Sequence, residues 1–292
     1  IIIDLISMTE NKIHIGGLTL KVLTDGILEF DPCVFFPSTN EDDWIPHKSH
    51  LNHNSNVVFE LSCYLIESQS HTILIDTGMG PNPNVQDPNF PELSNAWGIF
   101  DKSLANNHID PKDVDHVVFT HAHRDHIGWA TIGSGDTISP MFPNATYWLN
   151  EKDWDATFDE TISNRFPNAS TKLWPLKDFD QLKFFDESTV IVPEITLIPS
   201  PGHSPGHYCI LVQSEGNGVL IPGDLLHNIA QFEHFEWISR ADIEPNDTIQ
   251  SRKSVFELIV NKGLIVAGSH FASGFGTLDY IEHQYQWRSV EL

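Results

Sequence analysis

Three imidazoles and a carboxylate fall within six residues, His121-Ala122-His123-Arg124-Asp125-His126, directly after the apolar run Val117-Val118-Phe119-Thr120. The β-branched run reads as a buried strand. In extended backbone alternate residues share a face, so His121 and His123 point to one side, while Asp125 and His126, past the strand end, can turn toward a second position. Nitrogen and oxygen donors gathered this densely are a metal-ligand arrangement, and two adjacent cations fit the spacing better than one. An isolated H-x-H would mean little in a chain with 16 histidines; four donors at fixed offsets mean far more.

Three further apolar runs end in a possible ligand. Ile191 to Pro199 reads as a strand that runs through Ser200-Pro201-Gly202 to His203. Val219-Leu220-Ile221 runs through Pro222-Gly223 to Asp224, and Leu264 to Ala267 through Gly268-Ser269 to His270. A buried strand followed by a tight turn holds its next side chain rigidly. Other elements must support these ends. Lys12 to Thr24 suggests a hairpin turned at Gly16-Gly17, with Asp25-Gly26 closing the strand; Val57 to Glu67 and Thr72 to Asp76 look like paired strands. Leu93, Trp97, Phe100 and Leu104 give residues 93 to 107 a helical spacing, and with the flanking strands a βαβ unit. Asn150 is an N-cap candidate for a helix to Asp159, with Asp153 at capping-box spacing. Residues 166 to 185 read as loop-rich, and 251 to 261 as an amphipathic helix with Val255, Leu258 and Ile259 on one face.

H-x-H-x-D-H after a strand, followed by Pro201-Gly202-His203-Ser204-Pro205-Gly206-His207, Gly223-Asp224 and Gly268-Ser269-His270 in that order, resembles the metallo-β-lactamase superfamily of hydrolases. The C-terminal third, with Phe142-Pro143-Asn144-Ala145, is similar to the methyl parathion hydrolase and lactonase-like members. The resemblance implies an α/β fold, the four-layer αβ/βα sandwich, in a single domain over residues 1–292, with N-terminal strands and an aromatic loop in 1–56 and a metal-binding core in 57–287. It implies that His121, His123 and His203 hold one divalent ion, that Asp125, His126 and His270 hold another, and that Asp224 bridges both. Asp76, in Asp76-Thr77-Gly78, would brace a ligand histidine, and His207 would be structural. His227 stands where quorum-quenching lactonases often carry a Tyr three positions after the bridging Asp, which puts a lactone-specific mechanism in question. An imidazole there could still donate a hydrogen bond to a substrate oxygen.

A ligand set of nitrogen and oxygen without sulfur suits Zn²⁺, and also Mn²⁺, Co²⁺ or Fe²⁺. The expected activity is a dinuclear metal-dependent hydrolase in which a metal-bridging hydroxide attacks an uncharged hydrophobic ester, lactone or organophosphate triester. Asp125 would shuttle the proton and His227 would stabilise developing charge. Trp129, Trp148, Trp154, Phe35, Phe36, Phe232 and Phe271 are candidates for an apolar substrate pocket. A glyoxalase-II-like thioesterase would use the same metals but should show a basic cluster for its substrate's carboxylates; the non-enzyme alternative is a metal-binding protein without turnover. Forty acidic against 16 basic residues, a formal charge of −24, argue against nucleic acid and anionic lipid as partners. Three widely spaced cysteines suggest no disulfide framework. No run reaches the length of a membrane span, so the compartment could be cytoplasmic, or periplasmic or secreted after removal of a signal. The aromatic loop at residues 30 to 56 could cover a neighbouring subunit in a homodimer.

Overall fold

The computed structural model describes residues 6–9, 12–81, 87–93, 96, 98–271 and 274–290. The chain folds into two compact units interleaved in sequence, one built on Leu61–Thr189 with the strands before Gly26, the other on Ile27–Glu60 with Val190–Leu292.

The first unit is organised on an eight-stranded sheet. Its strands are β1 (Ile6–Thr9), β2 (Lys12–Ile15), β3 (Leu18–Phe30), β4 (Val57–Glu67), β5 (Thr72–Ile75) and β6 (His116–Val118), then, past the small ribbon of β7 (Thr131–Ile132) and β8 (Ser139–Pro140), β9 (Thr146–Asn150) and β10 (Leu182–Phe185). The order across the sheet is β1-β2-β3-β4-β5-β6-β9-β10. The hairpin turns at Gly16-Gly17 as expected, with Ile15 opposite Leu18. β4 and β5 are antiparallel, whereas β5, β6, β9 and β10 run parallel. Parallel pairing needs crossovers, and the first is supplied by the helix Phe100–Asn106.

Asp25-Gly26 does not close a strand: β3 runs through it to Phe30. The reason is that Asp25 is a buried acceptor. Its carboxylate receives the amides of Met79, Gly80 and Phe100 and the indole N–H of Trp129. The helix expected over 93–107 is shorter. Leu93 ends a separate 3₁₀ turn, the helix begins only at Phe100, and Trp97 lies outside the described residues. The stretch 166–185 holds short helices at Ala169–Lys172 and Pro175–Asp178 and then β10, rather than loop alone. Asn150 does cap the helix Glu151–Ala156, and the carboxylate of Asp153 accepts the amide of Ala122 at 2.8 Å.

The second unit carries a six-stranded sheet in sequence order, β11 (Ile195–Pro199), β12 (Tyr208–Ser214), β13 (Asn217–Ile221), β14 (Ile265–Ala267), β15 (Phe275–Ile281) and β16 (Gln284–Ser289). Only β13 and β14 pair in parallel, across the crossover helix Pro245–Lys262. That helix starts with Pro at its first position and ends at Gly263, whose φ of +60° suits the left-handed cap. It is longer than the expected 251–261. Its buried side includes Val255, Phe256 and Ile259, which join Leu211, Leu220, Val266 and Phe271 in one apolar cluster. β13 is buried along its whole length, Asn217 included, and its apolar part is the run Val219-Leu220-Ile221. Cys33, Cys63 and Cys209 are free thiols. Among the described residues no helix is long and apolar enough to cross a membrane.

Candidate metal centre

In the first unit, the loop after β6 carries His121, His123, Asp125 and His126, the last two in the short helix Arg124–Ile127. The loop is fixed by backbone packed on backbone. Gly128 donates to the Gly78 carbonyl at 2.7 Å, and Trp129 to that of Thr77. A methyl group on Gly128 would come within 2.0 Å of the Met79 carbonyl carbon, so only glycine lets the two loops approach this closely. Arg124 donates to the carbonyls of Leu93 and Ala96.

Asp76 organises the imidazoles. It sits at φ +59° after β5 and receives the Thr120 amide on Oδ1. Its Oδ2 receives the Thr120 hydroxyl and His126 Nδ1, both at 2.8 Å. Because the Thr120 hydroxyl spends its only proton on Asp76, its oxygen can only accept from His121 Nδ1, 3.0 Å away. Both rings therefore carry their proton on Nδ1 and turn an unprotonated Nε2 to the site. The His121 ring centroid lies 4.1 Å from that of His126 and 4.7 Å from that of His123. Asp125 is the one member of this loop's donor set that is not buried.

In the second unit, Asp224 stands just past β13, held from behind by His207, whose Nε2 accepts the Asp224 amide at 3.0 Å while its Nδ1 lies against Ser200. His207 thus has the structural role expected of it. Three imidazoles face the Asp224 carboxylate. His203 Nε2 lies 3.2 Å and His227 Nε2 3.3 Å from Oδ2, and His270 Nε2 lies 2.9 Å from Oδ1. The two oxygens therefore look toward different histidines. Again the far nitrogens are anchored: His203 Nδ1 donates to Asp242 Oδ1 at 2.9 Å and His270 Nδ1 to the Glu60 carbonyl at 2.8 Å. His203 Nε2 and His270 Nε2 both face the Asp224 carboxylate, so positive charge is favoured at this point. Burial disfavours a charged His203, yet Asp224 and Asp242 outweigh it and push its pKa up to about 9. The nitrogen and oxygen donors gathered on Asp224 suit a divalent metal.

Asp242 and Arg252 had no sequence signal tied to the site. Arg252 is wholly buried on the apolar side of the helix Pro245–Lys262. It donates to the Leu225, Phe235 and Trp237 carbonyls and lies 3.7 Å from Asp242. Burial would raise the Asp242 pKa, but His203 and Arg252 hold it down at about 2, so an ionised carboxylate orients His203.

Within the described residues, one unit thus gathers the donors His121, His123, Asp125 and His126 on a single loop, and the other gathers His203 and His270 on the Asp224 carboxylate. The pocket candidates scatter. Phe35 packs 5.1 Å from the His227 ring and 4.6 Å from Phe59. Phe271 lines a cleft of about 470 Å³ with His270, Leu51, Val58 and Ile229. Phe36 is buried against Trp44, Phe232 against Phe256, and Trp129 is bonded to Asp25. Trp148 lies over His116 and under Lys183, and Trp154 packs on Phe158 and Phe184.

The family model described as the metallo-beta-lactamase superfamily matches residues 58–270. The chain belongs to the metallo-β-lactamase superfamily. It is a metal-dependent hydrolase of that superfamily's α/β sandwich fold. Among curated relatives, the N-acyl homoserine lactonase of Bacillus cereus is 27% identical over 222 residues, 71% of this chain and 80% of that protein. Among solved structures, the hydrolase AbOPH of the beta lactamase superfamily aligns with a TM-score of 0.80 at 21% identity, covering 96% of this chain and 97% of that one. AidC, a dizinc quorum-quenching lactonase in complex with a product, aligns with a TM-score of 0.79 at 22% identity over 99% of both chains. The narrower likeness to methyl parathion hydrolase is not shown by these relatives.

Proposed function

We propose that this superfamily member opens lactones, and cleaves other uncharged hydrophobic esters, with two divalent ions, Zn²⁺ foremost. His121, His123 and His203 would hold one, Asp125, His126 and His270 the other, and Asp224 both. The observation that carries this reading is the Asp224 carboxylate, which offers one oxygen to His203 and the other to His270. When bound, such a pair of cations acidifies water and polarises a carbonyl or phosphoryl oxygen.

The chain's own residues would do the rest. Asp76, Asp242 and the Glu60 carbonyl fix the imidazole tautomers. Asp125, more exposed than the other ligands, would carry a proton between the reacting centre and solvent. His227, buried between Phe35, Phe59 and the stacked His270 ring, would steady Asp224 from the position where quorum-quenching lactonases often carry a Tyr. The cleft beside His270, with Leu51, Val58, Ile229 and Phe271 in its wall, would take an apolar acyl chain. The curated relatives named as N-acyl homoserine lactonases favour a lactone among the possible esters.

The test is a panel of an N-acyl homoserine lactone, a p-nitrophenyl ester, a phosphotriester and a glutathione thioester, given to the metal-loaded protein. Lactone opening, followed by proton release, should be fastest. Turnover of the thioester alone would move the reading to a glyoxalase-II-like enzyme, and turnover of none would leave a metal-binding protein.

A further inference from the structure

Away from the ligands already described, two more imidazoles meet nitrogen to nitrogen. His47 Nε2 and His234 Nε2 are 3.1 Å apart, although 187 residues separate them in sequence. His47 is buried. Its ring stands edge-on to Trp237 at 5.5 Å, while the His234 ring lies flat on the same indole at 4.3 Å. Trp44 packs against Trp237 and against His47. Both imidazoles are therefore held in place by rigid aromatic neighbours before anything binds. Glu233, adjacent to His234, brings a carboxylate oxygen within 4.8 Å of a ring nitrogen of each histidine.

We propose that His47, Glu233 and His234 form a further divalent metal site, suited to Zn²⁺ or a similar borderline ion, that pins the aromatic loop to the segment following His227. Two imidazole nitrogens on one tetrahedral Zn²⁺ sit about 3.3 Å apart, given Zn–N distances of about 2.0 to 2.1 Å. The observed 3.1 Å needs almost no adjustment. Two histidines and a glutamate, with water completing the shell, are a recognised zinc donor set.

The site has a further consequence for the cleft. His47 leads into the turn Lys48–His50, and His234 ends the short helix Ala230–Glu233. Ser49, His50 and Leu51 from one side, and Asn228 and Ile229 from the other, line the cleft beside His270. Gln231 in the same helix accepts the amides of His227 and Asn228. An ion here would hold both walls of that cleft. This second step rests on the cleft being where substrate binds, whereas the metal site itself does not.

The experiment uses the full chain, stripped of metal, reloaded with excess Zn²⁺, desalted, and counted by mass spectrometry. The wild type should retain about one equivalent more than His234→Gln and than Glu233→Gln, and His53→Gln, which removes an exposed imidazole, should match the wild type. Zn²⁺ should also raise the melting temperature of the wild type more than that of His234→Gln. Equal counts in wild type, His234→Gln and Glu233→Gln would overturn the proposal, as would an equal loss in His53→Gln. The reading is a difference between variants, so it stands even if the count contributed by His121, His203 and Asp224 is other than two. Circular dichroism of Glu233→Gln, an exposed position, separates loss of the ion from loss of the fold.

Discussion

Asp242 and Asp76 occupy equivalent places on different histidines. Each accepts an Nδ1–H, from His203 and His126 respectively, and so leaves Nε2 as the nitrogen that can bind a cation. Removing such a partner typically weakens metal binding by about 10- to 100-fold. Asp242→Asn should therefore lower Zn²⁺ affinity by about that factor in a competition titration against a chromophoric chelator, with a smaller effect on the melting temperature of the loaded protein. Unchanged affinity would mean that Arg252 and Asp242 serve packing alone. Asp76 was legible because it follows a strand in an Asp-Thr-Gly sequence upstream of the histidine cluster. Asp242 was not, since its connection to His203 spans 39 residues and exists only in three dimensions. The histidine cluster itself could be read directly because its donors are neighbours in sequence. His227 was singled out by its distance from Asp224, and the structure sets it 3.3 Å from that carboxylate, walled by phenyl rings.

Among the elements, the loops at 76–80 and 120–129 depend on each other. Gly128→Ala would drive a methyl group into the Met79 backbone. The backbone would have to move, and overpacking of this kind costs typically about 1 to 3 kcal/mol. Urea denaturation should show that loss, and the shifted loop should bind metal more weakly. Asp25 joins β3 to the same region. Burial pushes its carboxyl up to about 7, against the pull of the Met79, Trp129, Gly80 and Phe100 donors. Asp25→Ala would leave several buried N–H groups without an acceptor, at about 1 to 3 kcal/mol for each one left unsatisfied. A destabilisation well above that of an exposed Asp→Ala, such as Asp101→Ala, is expected in the same denaturation assay. Sequence periodicity found the strands that deliver ligands, since a fully buried strand is an unbroken apolar run. It misplaced the start of the helix Phe100–Asn106 and the end of β3. Both boundaries are set by the Asp25 carboxylate and its distant donors, which no local pattern records.

For the whole chain, the fold class was legible because the order of strand-end ligands is shared across a superfamily, and residues 58–270 match its family model. The short strands β10, β15 and β16 were not, since their residues carry no strong alternation and their pairing is set by neighbours. The formal charge of −24 predicts an additional property: cationic or neutral substrates should be accepted in preference to anionic ones of the same shape, and the preference should weaken as salt screens the surface. The most direct test of the two-cation centre is the rate of N-acyl homoserine lactone opening before exhaustive chelation, after it, and after metal is returned, in the wild type and in Asp224→Ala. The rate should fall by about 1,000-fold or more on chelation, as expected when the source of the nucleophile is removed. It should recover on adding Zn²⁺, Mn²⁺ or Co²⁺ to the wild type, and stay low in Asp224→Ala throughout. A rate that survives chelation, or an Asp224→Ala enzyme as fast as the wild type, would contradict it.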